Sequence, residues 1–466
     1  MVNHARVYTN THNITLQPKN SGTAPLLEVQ RTKWLFLALC FYLLSQSFTI
    51  PILPIGPSWA LWPYLSDFAI GLLVLIFLLN FRCNFSISNS SKNIFFLLIV
   101  VFLGSVLSYL LYLDSLGEKQ AIGVNFGIFQ IYRLVQFILV FFITAHIPLT
   151  PERINFLRRI VDGVFIFVCL GIVLTYTGIV PLSTVIAHLP KDGPWIFYEA
   201  YERSGGGKGL GFVGYNYAYT AVQVIMLVSL RIHLALNQQK EFSNNIFLLV
   251  SIIACFLSDS RAGLAAMLFL AIIYWWQKPK YILILITTAW IISTISLVIG
   301  LQTLDLNSSN HPTFERQETL LEVNNTETLS GRDEIWIERL AFINEEPTRW
   351  LVGTGFGSAL DSGDNAHMLP LHIILETGIF GLLIAVFLFS QILKCLYLDE
   401  AGCKPIFWGS VALLLSSTTQ ETFYPVPALA HFLGFYLCCL AIALRKEVCR
   451  TKDETNFQKP GLKKLR

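Results

Sequence analysis

His367 lies in Asn365-Ala366-His367-Met368-Leu369-Pro370, where a long polar stretch gives way to an apolar block. Imidazole titrates near neutrality, so a histidine at this border suits a general base or a phosphate partner, or else a structural contact. Glu376 follows nine residues later, inside the apolar block. A carboxylate at that depth is either functional or paired, and His372, one helical turn before it, shares its face. Two arginines face the same choice. Arg261 closes Ser258-Asp259-Ser260-Arg261 between two apolar blocks, as half of a surface Asp–Arg pair or as a grip on an anion at headgroup level. Arg332 opens the amphipathic stretch Arg332–Ile343, with Ile335, Ile337, Leu340 and Phe342 as its apolar positions and Ser330 or Asp333 available to cap it. The helix dipole disfavours a cation in that first turn, which hints at an anion nearby. Arg133 sits in the middle of an apolar block and needs a buried partner, for which Glu376 is one candidate.

Two glycine-rich stretches are weaker signals. Gly353-Thr354-Gly355-Phe356-Gly357 has no strand–turn–helix unit around it and reads as a tight turn. Gly205-Gly206-Gly207-Lys208-Gly209 lacks P-loop spacing and reads as a flexible approach to a helix.

The elements that must hold these residues are membrane helices. Of the 466 residues 54% are hydrophobic and 14% charged, against about 25% charged in soluble proteins. The apolar residues fall in blocks that predict an all-α, polytopic membrane protein of about twelve spans. These are Trp34–Ile52, Ser66–Phe81, Asn93–Leu113, Val124–Ala145, Ile160–Val180, Val213–Leu230, Phe242–Leu257, Ala262–Trp276, Tyr281–Leu301, Leu369–Leu393, Pro405–Ser417 and Pro427–Leu444. Reading Ser258–Arg261 as a turn between two spans keeps Arg82, Lys92, Arg153, Arg158, Arg159, Lys278, Lys280, Lys394, Lys404 and both tails on one side, as the positive-inside rule requires. Both termini are then cytoplasmic. The order is a tail at 1–33, spans one to nine over 34–301, a long external loop or subdomain at 302–368, spans ten to twelve over 369–444, and a basic tail at 445–466. A second external loop runs from Pro181 to Leu210. The nine cysteines fall in apolar blocks or cytoplasmic segments, so no disulfide framework is expected. No Cys/His cluster has zinc spacing, and the net charge of +3 offers no nucleic-acid surface.

Four segments, in this order, resemble the O-antigen ligase and polymerase superfamily. They are Gly211-Phe212-Val213-Gly214-Tyr215-Asn216; Ser258 to Gly263; Gly331-Arg332 with Trp336, followed by Gly353 to Gly357; and His367 through Glu376 to Gly378 and Gly381. The resemblance covers roughly Gly211–Leu393. Met368 and Tyr215 depart from the family pattern, which often has Asn and Pro there, while the nine-residue step from His367 to Glu376 keeps it.

The resemblance implies a glycosyltransferase without metal or cofactor, in a bacterial inner membrane. It would take an oligosaccharide from a polyprenyl diphosphate on the outer face, alongside a flippase and a chain-length regulator. Arg261 and Arg332 would neutralise the diphosphate, His367 would act as the base, and Arg133, Arg203, Asn216 and Glu376 would support them. Polymerisation of repeat units is expected, with ligation to lipid A–core or protein as the alternative. A transporter remains a reading from another class, although no inverted repeat is seen. A structural scaffold would tolerate changes at Arg261 and His367.

Overall fold

A computed structural model describes residues 24–53, 62–80, 87–116, 121–185, 209–212, 217–235, 241–276, 331–361, 366–398, 403–425 and 431–445. All regular structure among them is helical. The helices are α1 (Ala24–Ser45), α2 (Leu65–Leu79), α3 (Asn89–Leu116), α4 (Ala121–His146), α5 (Pro151–Tyr176), α6 (Leu182–Val185), α7 (Tyr217–Ala235), α8 (Glu241–Leu257), α9 (Arg261–Trp275), α10 (Arg332–Asn344), α11 (Pro347–Val352), α12 (Ser358–Asp361), α13 (Leu369–Leu398), α14 (Lys404–Ser416) and α15 (His431–Ala443). Among the described residues, Asn89–Leu113, Phe126–His146, Ala218–Ala235 and Leu369–Leu398 are long and apolar enough to cross a membrane, and six shorter apolar helices accompany them. The chain is a membrane protein. The expected span Tyr281–Leu301 lies outside the described residues.

Helix ends differ from the apolar blocks where local chemistry extends a helix. α5 begins at Pro151 rather than Ile160, because Thr150 Oγ1 accepts from the Arg153 amide and Pro151 occupies the first turn. Polar residues therefore join a helix that hydropathy alone would start later.

α7 is the hub. Every residue from Ala218 to Ala235 is buried, including Thr220, Gln223, Ser229, Arg231 and His233. A helix enclosed on all sides must satisfy its polar groups within the protein. Arg231 does so against Asp162 at 3.2 Å and Ser243 at 2.5 Å. The outward faces of the surrounding helices carry exposed Leu75, Leu78, Leu103, Leu107, Phe380 and Leu383, a surface suited to lipid.

Contacts fix helix directions. Tyr219 of α7 donates to the Glu421 carbonyl, whereas Ser229 lies against Gly409, so α7 and α14 are antiparallel. α4 and α15 run the same way, since Phe137 meets Gly434 and Thr144 meets Cys438. α8 and α9 form a hairpin through Ser258–Ser260, for Trp275 Nε1 donates to Asn245 at the far end, at 2.9 Å. Two helices meeting at a turn is thus the arrangement at Arg261.

Arg133 has a partner, and it is not Glu376. Its guanidinium makes two hydrogen bonds to the Asp67 carboxylate of α2 and a third to Gln136 at 2.8 Å, and it stacks on Phe129. The buried charge is compensated from the neighbouring helix, one turn from where α2 starts. Asp67→Ala leaves Arg133 charged and 1% exposed, and it is expected to cost on the order of 3–5 kcal/mol. Thermal denaturation in detergent reads this as a large drop in midpoint, with Asp67→Asn intermediate.

Candidate functional site

The site is organised around an interruption in α13. Gly378 has φ 67° and ψ −169°, so the helix breaks there. The break frees two carbonyls from their helical partners. Leu375 O accepts from the Thr354 amide at 2.8 Å and Glu376 O from the Gly355 amide at 2.9 Å. The stretch Gly353–Gly357 is therefore a tight turn, as expected, but one docked on α13. Contact is too close for side chains at two positions. A Cβ on Gly353 would lie 2.4 Å from the Glu376 carbonyl carbon, and one on Gly378 would lie 2.2 Å from Leu351 O.

The Glu376 carboxylate closes this joint. Oε1 accepts from the Ala359 amide at 3.1 Å and Oε2 from the Tyr424 hydroxyl at 2.5 Å. Ser108 of α3 donates to the Glu376 carbonyl and accepts from the Phe356 amide, both at 3.0 Å. Four chain segments thus meet at one buried residue. His372 Nε2 is 3.7 Å from Glu376 Oε1, so the two are neighbours, as their spacing implied, without a hydrogen bond between them.

His367 sits at the mouth of α13 with φ 50°, a left-handed conformation uncommon among residues other than glycine. Its amide donates to the Glu421 carboxylate in the α14–α15 connection. Its Nδ1 lies 3.8 Å from Glu421 Oε2, with the imidazole 40% exposed and Glu421 2% exposed. On the preceding residue, Ala366 O accepts from Trp336 Nε1 of α10 at 2.9 Å. That bond, with Ile343, Ala359, Leu371 and Leu375 buried beneath, fastens α10 beside His367. The Arg332 guanidinium is close enough to act electrostatically on Glu421.

α10 departs from expectation in two details. Gly331, left-handed at φ 74°, takes the cap position with no side-chain hydrogen bond. Ile337 and Leu340 face outward, while the buried face is made by Arg339 and Ile343 with Ile335 and Trp336 partly covered. Arg339 is buried.

Arg261 begins α9, with Ser260 Oγ capping the Gly263 amide at 3.1 Å. Gly263 packs against Ala221, two residues from the Tyr219 that holds Glu421. Two residues of helix rise only about 3 Å, so Arg261 belongs to the same end of the bundle as Arg332 and His367. Arg133 belongs to the ion pair described above. Arg203 and Asn216 lie outside the described residues. Among the described residues no group of three or more His, Cys, Asp or Glu side chains is arranged to hold a metal ion.

Residues 246–386 match the family model described as O-antigen ligase. That stretch contains Arg261, Arg332, His367 and Glu376. That match supports the resemblance of the chain to the O-antigen ligase/polymerase superfamily. A search of curated proteins finds no match. Two residues that contact the candidate site, Glu421 and Tyr424, lie beyond the matched stretch. Sequence reasoning missed both. In Thr418-Thr419-Gln420-Glu421-Thr422 a glutamate between two short apolar blocks looks like a solvated loop residue, and only contacts across more than forty residues of chain reveal its burial.

Burial pushes the Glu421 carboxyl up from the ordinary 4.5 to about 7, against the opposing hydrogen bond from His367 and the charge of Arg332. The folded protein therefore holds a proton there that the unfolded chain has lost between these two pH values. More protons in the folded state means that stability falls as pH rises through this window. Denaturation midpoints measured from pH 4.5 to pH 7 should fall accordingly, and Glu421→Gln should flatten the slope. An unchanged slope in that variant would place the proton elsewhere.

Proposed function

We propose that this chain is a membrane glycosyltransferase that transfers an oligosaccharide from a polyprenyl diphosphate. The observation that carries the reading is the gathering of Arg332 and His367 beside one buried carboxylate, with Arg261 at the same end, inside a stretch that matches the O-antigen ligase family. We place this end on the outer face of a bacterial inner membrane, with both termini cytoplasmic, twelve spans, and 302–368 as the external loop. The helix directions support that topology. At Trp275 the chain stands at the far end of the bundle and at Arg332 at the site end, the traverse that a ninth span would make.

A diphosphate is already a good leaving group, so the protein must supply charge neutralisation and positioning. Arg261 and Arg332 suit the first task, because guanidinium forks match phosphate oxygens. His367 takes the proton of the acceptor hydroxyl. Direct attack on the anomeric carbon would invert it. Next to the joint, α3, α4, α13 and α15 border an open apolar cavity of about 330 Å³ lined by Leu107, Leu134, Phe380, Ile384, Phe389 and Leu437. It suits part of a prenyl chain whose diphosphate lies towards the arginines. No metal or cofactor enters this scheme. Polymerisation of O-antigen or exopolysaccharide repeats is our first reading and ligation to lipid A–core or protein the second. A flippase and a chain-length regulator are the partners that this role implies.

The test is the surface-polysaccharide ladder of a deletion strain complemented with wild type, Arg261→Ala, Arg332→Ala or His367→Ala. A polymerase predicts loss of long chains with single repeats retained. A ligase predicts loss of all attached polysaccharide while long lipid-linked chains accumulate. A wild-type ladder in every strain would contradict both. His367→Gln should abolish turnover and leave lipid-donor binding nearly intact, measured as retention of the extracted lipid-linked donor by the purified variant.

A further inference from the structure

We propose that Glu421 is the partner carboxylate of His367, holding the imidazole with Nδ1 towards the protein and Nε2 towards the reacting hydroxyl. This rests on His367 being the base. Glu421 reaches the same histidine twice, through the backbone amide and through the ring, where Nδ1 and Oε2 are 3.8 Å apart. The His367 side chain is 40% exposed while the carboxylate is buried, so the ring can meet a substrate that Glu421 does not touch. Once ionised, above about pH 7, a carboxylate so placed selects the tautomer with hydrogen on Nδ1 and stabilises the imidazolium when Nε2 is protonated. The gap is longer than a hydrogen bond, as is common for catalytic contacts before substrate tightens them.

The other groups around Glu421 fit this role. His372 Nδ1 is 4.0 Å from Oε1, and among the described residues neither of its ring nitrogens has a hydrogen-bond partner. Arg332 contributes positive charge from α10, and Tyr219 holds the Glu421 carbonyl from α7. Glu376 is occupied by Tyr424 and the Ala359 amide, which leaves Glu421 as the carboxylate serving His367. The left-handed backbone at His367, a strained conformation, is held by the same Glu421 contact.

In the transfer the acceptor oxygen bonds to the anomeric carbon as its proton passes to His367 Nε2. The bond from that carbon to the diphosphate oxygen breaks, and its electron pair leaves with the polyprenyl diphosphate. Glu421 makes no bond to substrate; it steadies the cation formed on His367, which returns its proton to water afterwards.

A purely structural Glu421 would need only an acceptor for the His367 amide, and glutamine keeps one. Transfer is therefore measured with purified full-length protein in lipid vesicles, using lipid-linked oligosaccharide extracted from the deletion strain. The variants are Glu421→Gln, Glu421→Asp, His367→Gln and the double substitution, each checked for a monodisperse folded peak. Glu421→Gln should lower kcat on the order of tenfold to a hundredfold with KM unchanged. Glu421→Asp should fall between it and wild type, and the double variant should be no slower than His367→Gln alone. Full kcat in Glu421→Gln, with His367→Gln inactive, would overturn the partnership while leaving the base in place. Full kcat in His367→Gln would remove base and partner together. If Glu421→Gln does not fold, Glu421→Asp decides, since wild-type kcat there would overturn the role.

Discussion

The break in α13 at Gly378 is the constraint on which the site depends. An uninterrupted helix would consume its own carbonyls, and the loop would have nothing to dock on. Because Gly378 adopts a left-handed angle, Leu375 and Glu376 offer carbonyls to the amides of Thr354 and Gly355. The loop can approach only because Gly353 carries no side chain at the contact. Glu376 then seals the joint through Tyr424 and the Ala359 amide. The intramembrane carboxylate that had to be either functional or paired forms a latch between four segments.

From that joint outward, each contact narrows the freedom of the next. Phe356, held by Ser108, lies 5.6 Å from the Tyr424 ring, and Tyr424 lies 4.4 Å from His372. The first residue of α13 is tied to the end of α14 by the Leu369 amide on Ser417 O at 3.0 Å. Trp336 then draws α10, and Arg332 with it, to the same place. The groups proposed to act on substrate thus sit at the edge of rigid helices. Arg332 rides on an element attached mainly at its inner face, which suits a residue that must close on a bound diphosphate.

The helices were largely readable from apolar blocks, because lipid demands continuous runs and tolerates few charges. The turn at Ser258–Ser260 was readable from charge, because only two spans meeting there keep the later lysines and the basic tail on the side of the N-terminus, although its three residues are themselves buried. Pairings were not. Arg133 announced that it needed a partner, yet nothing in the sequence separates Asp67 from Glu376 as its counter-ion; only the packing of α2 on α4 does. Glu421 failed in the opposite direction, because a glutamate in a short connection looks solvated until α7 and the His367 segment close over it. On α10 the apolar positions were visible, but which of them faced inward depended on the seat that Ala366 offers Trp336.

The central claim is that this chain alone breaks a sugar–diphosphate bond at this end of the bundle. Its most direct test is a single reaction: purified protein in vesicles, extracted lipid-linked oligosaccharide as the only donor, and mass spectrometry of both glycan and lipid products. The account predicts one free polyprenyl diphosphate for each oligosaccharide transferred, with glycans growing by whole units or appearing on the supplied acceptor. Recovery of intact donor, moved across the membrane but not cleaved, would contradict it and make the chain a transporter.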